Sequence, residues 1–217
     1  AGTAEAMLDL IPDCRDRLML DGAVDGFTDY PAAVSPMRES RLDEELFGAI
    51  MLYSSGTTGR PQGIKRPLPG SAVDHEDNAG ISILERFLLG MDESSVYLSP
   101  APLYHAAPLV WSAGIHQIGG TVVVMEKFDA ADYLRCVEAY GVTHSQLVPT
   151  MFVRMLKLPP EERQRYDVSS LQGVVHAEAP CPVEVKRKMN EWWGPIDTEY
   201  YPATEGKGLT IINSEEC

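Results

Sequence analysis

Short apolar runs alternate along this chain with longer stretches in which apolar residues recur at helical spacing. Runs that are apolar or rich in β-branched residues predict strands at residues 47–53, 96–99, 121–125, 143–148, 173–177, 198–201 and 209–212. Helical spacing predicts helices at residues 77–89, 105–116, 130–140, 152–158 and 182–193, of which 105–116 is the least regular. Strands and helices therefore alternate over most of the chain.

Two of the predicted helices carry recognisable end signals. Asp129 is a suitable N-cap, and apolar side chains follow at i, i+3, i+4 and i+7 from Ala130 until Gly141 ends the segment. Pro182 opens the last predicted helix, and Gly194 followed by a proline stops it. These two helices are therefore the best defined elements of the prediction.

This order of elements predicts an α/β fold, a mostly parallel sheet flanked by helices. The run TVVVM (121–125) is of the kind that is buried on both faces of such a sheet. Residues 1–46 are rich in Asp, Glu, Arg and Pro, and we interpret them as a surface lead-in to a core at 47–217.

Composition narrows the function classes. The formal net charge is −14 over 217 residues, which would repel a phosphate backbone, so nucleic acid is not an expected partner. The four cysteines and five histidines are scattered without metal-ligand spacing, which favours a reducing, cytoplasmic setting and argues against a zinc site. No apolar run approaches the roughly 18 residues of a membrane helix, and the start lacks signal-peptide features.

The predicted strand ends point to ligand sites. In parallel sheets ligands bind beyond the carboxyl ends of strands, which here are the loops after Tyr53, Val175 and Tyr201. The first of these loops, SSGTTGR (54–60), combines glycines with hydroxyl donors. No Asp or Glu occurs from residue 54 to 73, whereas three cations do, at positions 60, 65 and 66. This local positive charge favours an anion such as phosphate.

Common phosphate-site and nucleophile motifs do not fit this loop. The spacing of its glycines matches neither the Walker pattern nor the dinucleotide pattern G-x-G-x-x-G, and no serine lies in a G-x-S-x-G frame. From the residues alone, a phosphate loop and a flexible surface loop both remain open.

The sequences of this loop and of three later segments resemble the motifs of one family. YSSGTTGRPQG (53–63) is similar to the phosphate-binding signature of the adenylate-forming superfamily, which includes acyl-CoA synthetases, aryl-CoA ligases, luciferases and peptide-synthetase adenylation domains. PLYHAAP (102–108), HAEAP (176–180) and YPATEG (201–206) resemble later family blocks in family order, and THSQLVPTMFVRML (143–156) is typical of acyl-CoA synthetases. The chain thus resembles the central, AMP-binding part of the large N-terminal domain, without the small C-terminal domain.

The resemblance implies a role for each matched residue. The β- and γ-phosphates of ATP would be wrapped by Ser54, Ser55, Gly56, Thr57, Thr58 and Gly59. The adenine would be bordered by Ala177, Glu178 and Ala179, with Tyr201 stacked on its ring. A solvated surface position is the alternative for Glu178.

The resemblance also implies catalytic positions. Thr204 would contact the α-phosphate, and Glu205 would hold Mg²⁺, a hard cation that prefers carboxylate and phosphate oxygens. His105 would stand near the acyl carboxylate that attacks the α-phosphorus, and a structural histidine at a helix start is its alternative.

Two residues depart from the family pattern. Gln62 stands where the family usually has Lys, so a phosphate contact there would lack charge, unless Lys65 or Arg66 supplies it. Pro202 replaces the usual Gly after Tyr201 and should stiffen that turn.

The expected function follows from the resemblance. The whole protein would activate a carboxylic acid with Mg-ATP to an acyl-adenylate and then transfer the acyl group to coenzyme A. Without the family's hinge Arg and catalytic Lys, the chain alone is expected to be inactive. A fatty acid is the first choice of substrate and an aromatic acid the second. A nucleotide-binding module without catalysis and a scaffold domain are the alternatives, and the oligomeric state is left open.

The apolar residues 106–111 and 148–152 could line an acyl pocket, although core packing explains them equally well.

Overall fold

The computed structural model describes residues 2–20, 22–54, 59–75, 80–177, 179–202 and 208–214. It divides the chain into two compact units, 1–45 and 46–217. The first unit consists of short elements, namely α1 (Gly2–Met7), a 3-10 turn (Leu8–Leu10), β1 (Leu18–Met19), β2 (Thr28–Asp29) and α2 (Tyr30–Val34). Its two strands pair in parallel, and Val24 is the one buried residue among its described positions.

The second unit contains a two-stranded hairpin and a six-stranded sheet. The hairpin pairs β3 (Leu52–Ser54) with β4 (Gln62–Ile64) in antiparallel orientation. The sheet strands are β5 (Val96–Ser99), β6 (Thr121–Val124), β7 (His144–Leu147), β8 (Gly173–His176), β9 (Asp197–Pro202) and β10 (Leu209–Asn213). Their order is β10-β9-β8-β7-β5-β6, and every neighbouring pair is parallel except β9 and β10. The expected mostly parallel α/β sheet is thereby confirmed.

Helices cover both faces of this sheet. They are α3 (Ile81–Leu89), α4 (Ala106–Ile118), α5 (Ala130–Tyr140), α6 (Pro149–Leu156), α7 (Pro160–Arg163) and α8 (Val183–Trp193). Side chains alternate between the faces of a strand, so neighbouring residues belong to different cores. Leu98 and Val174 pack with residues of α5, α6 and α8, whereas Tyr97 and Val175 pack with α4. The second unit therefore has three layers, with the sheet in the middle.

The helix with the clearest sequence signals forms as expected. The Asp129 carboxylate accepts hydrogen bonds from the backbone N–H groups of Ala131 and Asp132, both at 3.0 Å. Gly141 ends α5 in the left-handed conformation, with φ of 60°. The apolar positions Tyr133, Leu134 and Val137 are completely buried. Local capping and periodicity were sufficient to define this element. The predicted helices at 105–116 and 182–193 form with small shifts at their ends, and α6 begins earlier than predicted, at Pro149. Of the helix predicted at 77–89, residues 81–89 form α3, whereas residues 77–79 lie outside the described residues.

The strand predicted at 47–53 is largely wrong. Only Leu52–Ser54 form a strand, and it belongs to the hairpin rather than to the large sheet. Ile50 and Met51 are exposed, so this apolar run does not enter the core. The Phe47 backbone N–H instead donates to the Ser71 carbonyl at 2.9 Å. The loop after Tyr53 is therefore not at the carboxyl end of a parallel strand.

The prediction that TVVVM is buried on both faces is also wrong. β6 is the edge strand next to β5, and both Thr121 and Val124 are exposed. A β-branched run is equally suited to an edge strand with one covered face, so composition alone does not distinguish the two positions.

Two absences apply to the described part of the chain. Within it, no helix combines the length and apolar character needed to cross a membrane. Within it, Cys14 and Cys136 also form no disulfide.

Candidate functional site

Elements that adjoin all four sequence motifs border one cavity of about 480 Å³. Leu52 comes from β3, which precedes the Ser/Gly/Thr loop, and Ala106 and Ala107 open α4 directly after His105. Val175 comes from β8, which precedes the HAEAP segment, and Tyr200 comes from β9, which leads into YPATEG. Segments far apart in sequence therefore converge on a single space.

The Ser/Gly/Thr segment is the connection of the β3–β4 hairpin. Ser54 is the last residue of β3 and pairs with Gln62, the first residue of β4. Gly59 has a φ of 81°, a conformation that favours glycine. Ser55, Gly56, Thr57 and Thr58 lie outside the described residues, so their predicted phosphate contacts stay predictions. The hairpin does, however, set Gln62 directly opposite the residue that begins this segment.

Gly63 explains how the hairpin closes. A Cβ atom at this position would lie 2.6 Å from the Met51 Cε and 3.1 Å from the Tyr53 ring. Glycine therefore allows these side chains to approach the hairpin backbone closely, and a larger residue would displace the flexible end of Met51 and crowd the Tyr53 ring. Arg66, just after β4, is one of the residues lining the cavity, and it brings one of the three predicted cations to its edge.

The HAEAP segment begins at the last residue of β8, and Tyr201 lies near the end of the neighbouring parallel strand β9. His176 pairs with Glu199 in the β8–β9 register, so Ala177 and Tyr201 lie close to the same edge of the sheet. Ala177 is buried, Ala179 is exposed, and Glu178 lies outside the described residues. The Tyr201 side chain is 77% exposed, which leaves its ring free to stack on a planar ligand.

His105 occupies the N-cap position of α4. Its backbone is extended, with φ −82° and ψ 150°, and its side chain makes no capping hydrogen bond to the helix. The imidazole is exposed and lies against the Tyr104 ring, with centroids 4.5 Å apart. The helix-start alternative therefore accounts for the backbone of His105 but not for its side chain.

A model of one protein family matches most of the chain. That family is described as AMP-binding enzyme, and its model covers residues 19–217. The chain belongs to the AMP-binding enzyme family.

Curated relatives of this AMP-binding chain are acyl- and aryl-CoA ligases. Acyl-CoA synthetase 7 of Caenorhabditis elegans is 34% identical over 74% of this chain and 29% of its own length. Probable CoA ligase CCL5 of Humulus lupulus is 31% identical, over 74% and 28% respectively. 4-coumarate--CoA ligase-like 2 of Arabidopsis thaliana is 28% identical, over 93% and 34%. The chain thus spans about a third of the length of these relatives.

Solved adenylate-forming enzymes share the fold of the AMP-binding chain. The amide bond synthetase McbA of Marinactinospora thermotolerans superposes with a TM-score of 0.70 at 24% identity, covering 99% of this chain and 41% of its own. ATP-bound MatB of Rhodopseudomonas palustris gives 0.59 at 25% identity, covering 76% and 31%. The fold is therefore that of adenylate-forming enzyme N-terminal domains.

Two predicted catalytic residues of the AMP-binding chain, Thr204 and Glu205, lie outside the described residues. β9 ends at Pro202, which pairs with Leu209 of β10. The two residues thus belong to the connection between these strands, and their contacts with phosphate and Mg²⁺ stay predictions.

The structure adds a polar pair to the cavity wall that the sequence prediction missed. The Trp111 indole N–H donates to the Tyr200 hydroxyl at 2.9 Å, and both residues line the cavity. Strand alternation supplied a signal: Tyr200 must face away from its neighbour Tyr201. The pair joins α4 to β9.

Glu85 is a second missed residue, on the helix whose Ile81, Leu84 and Leu88 line the cavity. Its side chain is completely buried, and its carboxyl oxygens have no hydrogen-bond partner among the described residues. Burial raises the pKa of Glu85 from 4.5 to about 8. The carboxyl lies against Gly114 of α4, where a Cβ atom would overlap it.

Proposed function

We propose that the complete protein is an ATP-dependent CoA ligase. It would join a carboxylic acid to the α-phosphate of ATP, releasing pyrophosphate, and then transfer the acyl group from the adenylate to the thiol of coenzyme A, releasing AMP. The observation that carries this proposal is the convergence of four motif-bearing elements on one cavity. Membership of the AMP-binding family and the ligase names of the relatives support it.

The proposed nucleotide site lies at the carboxyl edge of β8 and β9. Ser54 to Gly59 would contact the β- and γ-phosphates through backbone N–H groups and hydroxyls. Ala177 to Ala179 would border the adenine, and the exposed Tyr201 ring would stack on it. Most of the catalytic effect expected of these residues is positioning of the acid against the α-phosphate.

The proposed function includes Mg²⁺, which Glu205 would hold. A carboxylate suits this hard cation, which would offset the charge of the ATP phosphates when bound. Among the described residues, no cluster of three His, Cys, Asp or Glu side chains forms a competing metal site. Thr204 would contact the α-phosphate next to Glu205.

The acid would enter the cavity between α3 and α4. Apolar side chains form most of its wall, among them Leu84, Leu88, Ala107 and Val110. This lining supports an acid with an apolar body, and a fatty acid is our first candidate. An aromatic acid is the second candidate, favoured by the relatives that are named 4-coumarate ligase-like. Residues 149–156 instead form α6, and Phe152 packs in the core of the opposite face.

His105 would orient the acyl carboxylate. It precedes Ala106 and Ala107, which line the cavity, and its imidazole is exposed at the start of α4. A cytoplasmic location is also part of the proposal, supported by the free thiols of Cys14 and Cys136. One relative, OPC-8:0-CoA ligase 1 of Arabidopsis, is named as peroxisomal.

A thioester assay on the complete protein tests the proposal. Purified protein would be incubated with Mg-ATP, coenzyme A and a panel of fatty and aromatic acids, with acyl-CoA and pyrophosphate as readouts. We expect acyl-CoA only when ATP, coenzyme A and the acid are all present, whereas pyrophosphate release requires ATP and the acid. ATP binding without either product would instead identify a nucleotide-binding module. Failure to bind ATP at all would leave a scaffold role.

A further inference from the structure

Four ionisable side chains form a buried group beside the proposed adenine site. We call them the ion cluster: His176 of β8, Lys186 of α8, and Asp197 and Glu199 of β9. His176 is completely buried, and the side chains of Asp197, Lys186 and Glu199 are 5%, 8% and 34% exposed. Charged side chains are rarely buried to this extent unless they are paired, so their arrangement requires explanation.

The Lys186 ammonium lies between the two carboxylates. Its Nζ donates a hydrogen bond to the Glu199 Oε2 at 3.3 Å and lies 3.9 Å from the Asp197 Oδ2. On the other side, the His176 Nε2 lies 3.3 Å from the Asp197 Oδ2 and 4.0 Å from the Glu199 Oε2. The His176 and Phe152 rings pack edge to face, with centroids 5.4 Å apart.

The ion cluster lies where β8 and β9 lead into the proposed nucleotide contacts. His176 is the last residue of β8 and is followed directly by Ala177. Asp197, Glu199 and Tyr201 are alternate residues of β9, so their side chains stand in a row on one face of the sheet. The register pairs His176 with Glu199, one step before Tyr201 on that face. Lys186 therefore links α8 to β9 directly, and to β8 through the carboxylates that also lie against His176.

Net stability is a weak reason for such a group. Burying two carboxylates and an ammonium costs desolvation energy that their attraction roughly repays, and packed apolar residues would hold the strands as well. Charge pairs differ from apolar contacts in fixing one register, because a shifted strand would leave a buried charge without its partner. The ion cluster is therefore better suited to fixing positions than to adding stability.

We propose that the ion cluster consists of positioning residues for the nucleotide: by fixing β8, β9 and α8 relative to one another, it sets the distance between the adenine-bordering segment and the Tyr201 ring. The inference rests on the proposed ATP site. It predicts that weakening the ion cluster lowers affinity for ATP much more than affinity for the acid, because most of the acid pocket is lined by α3, α4 and other segments that the cluster does not contact.

Substitution of Lys186 in the complete protein tests this inference. Lys186→Met keeps length but removes the ammonium, and we expect the KM for ATP to rise about tenfold while the KM for the acid changes less than about twofold. Lys186→Arg restores a cation and should recover most of the ATP affinity. Lys188→Met is the matched control, because Lys188 is an exposed residue of the same helix, and it should leave both KM values unchanged.

A milder variant covers the case in which Lys186→Met does not fold. Glu199→Gln alters the most exposed member of the ion cluster and leaves Lys186 beside Asp197, so we expect a smaller rise in the KM for ATP with near-native circular dichroism. A folded Lys186→Met or Glu199→Gln protein with a lower Tm but an unchanged KM for ATP would overturn the inference. Absence of ATP binding by the wild-type protein would instead overturn the proposed function, and the inference with it.

Discussion

Gln62 shows how one side chain can set the strength of phosphate binding. It is exposed and pairs across the hairpin with Ser54, where the predicted phosphate segment begins. Gln62→Lys should tighten Mg-ATP binding by up to about 1–2 kcal/mol, because the contact becomes charge-assisted. Isothermal titration calorimetry on the complete protein measures the change in affinity for Mg-ATP.

The control for added charge is Gln172→Lys. Gln172 is exposed but precedes β8, so it lies at the opposite end of the strand from the proposed nucleotide site. An equal gain in affinity from both variants would mean that net charge, rather than position 62, is responsible. No gain from Gln62→Lys would indicate that Lys65 or Arg66 already neutralises the phosphates.

Glu205 is the residue on which the metal prediction depends. Glu205→Gln keeps the size and removes the charge, so adenylate formation by the complete protein should fall at least about tenfold, equivalent to about 1.4 kcal/mol. ATP–pyrophosphate exchange at saturating Mg²⁺ measures the rate of adenylate formation. Glu191→Gln, an exposed position on α8, is the control. Wild-type exchange by Glu205→Gln would refute the metal assignment.

Glu85 makes stability depend on pH. Its pKa is raised from 4.5 to about 8, so between these values the folded state keeps a proton that the unfolded state releases. Stability must therefore fall as pH rises through this window, by at most about 1.4 kcal/mol per pH unit, and level off above it. Glu85→Gln cannot ionise and should lose this slope.

Thermal unfolding of the complete protein at about pH 5 and about pH 9 checks the effect of Glu85. The Tm of Glu85→Gln relative to wild type should rise between the two pH values. Glu93→Gln, at an exposed position just after α3, should follow the wild-type dependence at both. Parallel curves for Glu85→Gln and wild type would contradict the burial argument.

At the scale of elements, α4 divides its residues between the cavity and the surface. Ala107 lines the cavity, whereas Leu109 is 37% exposed and is not among the described residues of the cavity wall. Ala107→Phe should fill part of the space and lower kcat/KM for long or bulky acids about tenfold more than for short ones. Leu109→Phe should leave the preference unchanged. The acyl-CoA assay with a chain-length series decides between them, and equal losses for all acids would argue against an acid pocket here.

Elements differed in how far the sequence could predict them. The ends of α5 were predictable because Asp129 and Gly141 act on their own neighbours. The strand at 47–53 and the burial of residues 121–125 were not predictable, because both depend on which strands pair with these segments. Likewise, the carboxylate of Glu85 occupies an apolar helix position four residues after Ile81, and only the packing of α4 reveals it as buried.

At the scale of the whole molecule, the two units differ in how much they bury. Val24 is the one buried residue described in unit 1–45, whereas unit 46–217 holds both core clusters. Trypsin should therefore cut the complete protein first at Arg38 and Arg41, since unfolding a segment with little buried surface costs little. Mass spectrometry of early digests identifies the sites.

Arg135 is the matched control for proteolysis. Its side chain is 52% exposed, close to the 53% of Arg38, but it lies on α5, which packs against the sheet. Exposure alone predicts equal cleavage at the two arginines, whereas local stability predicts that Arg135 is protected. Early cleavage at Arg135 would show that the core opens as readily as the first unit.

The candidate site as a whole was only partly predictable. Its motifs are contiguous in sequence and could be recognised from their resemblance to family motifs. The Ser/Gly/Thr loop, His105 and Tyr201 were predicted in this way. The ion cluster and the Trp111–Tyr200 pair join residues from different elements, so no local pattern defines them. Such groups become visible only once the strand register is known.

The alternation of Tyr200 and Tyr201 has a consequence for how such a protein can diversify. One strand serves two ligands, because Thr198 and Tyr200 line the cavity while Asp197, Glu199 and Tyr201 occupy the other face. Substitutions at the cavity-facing residues Thr198 and Tyr200 could therefore change which acid is accepted without disturbing nucleotide recognition. A single-residue insertion or deletion early in β9 would exchange the two sets at once. Natural variation in this strand should therefore consist of substitutions at alternate positions, with changes in length confined to the loops on either side.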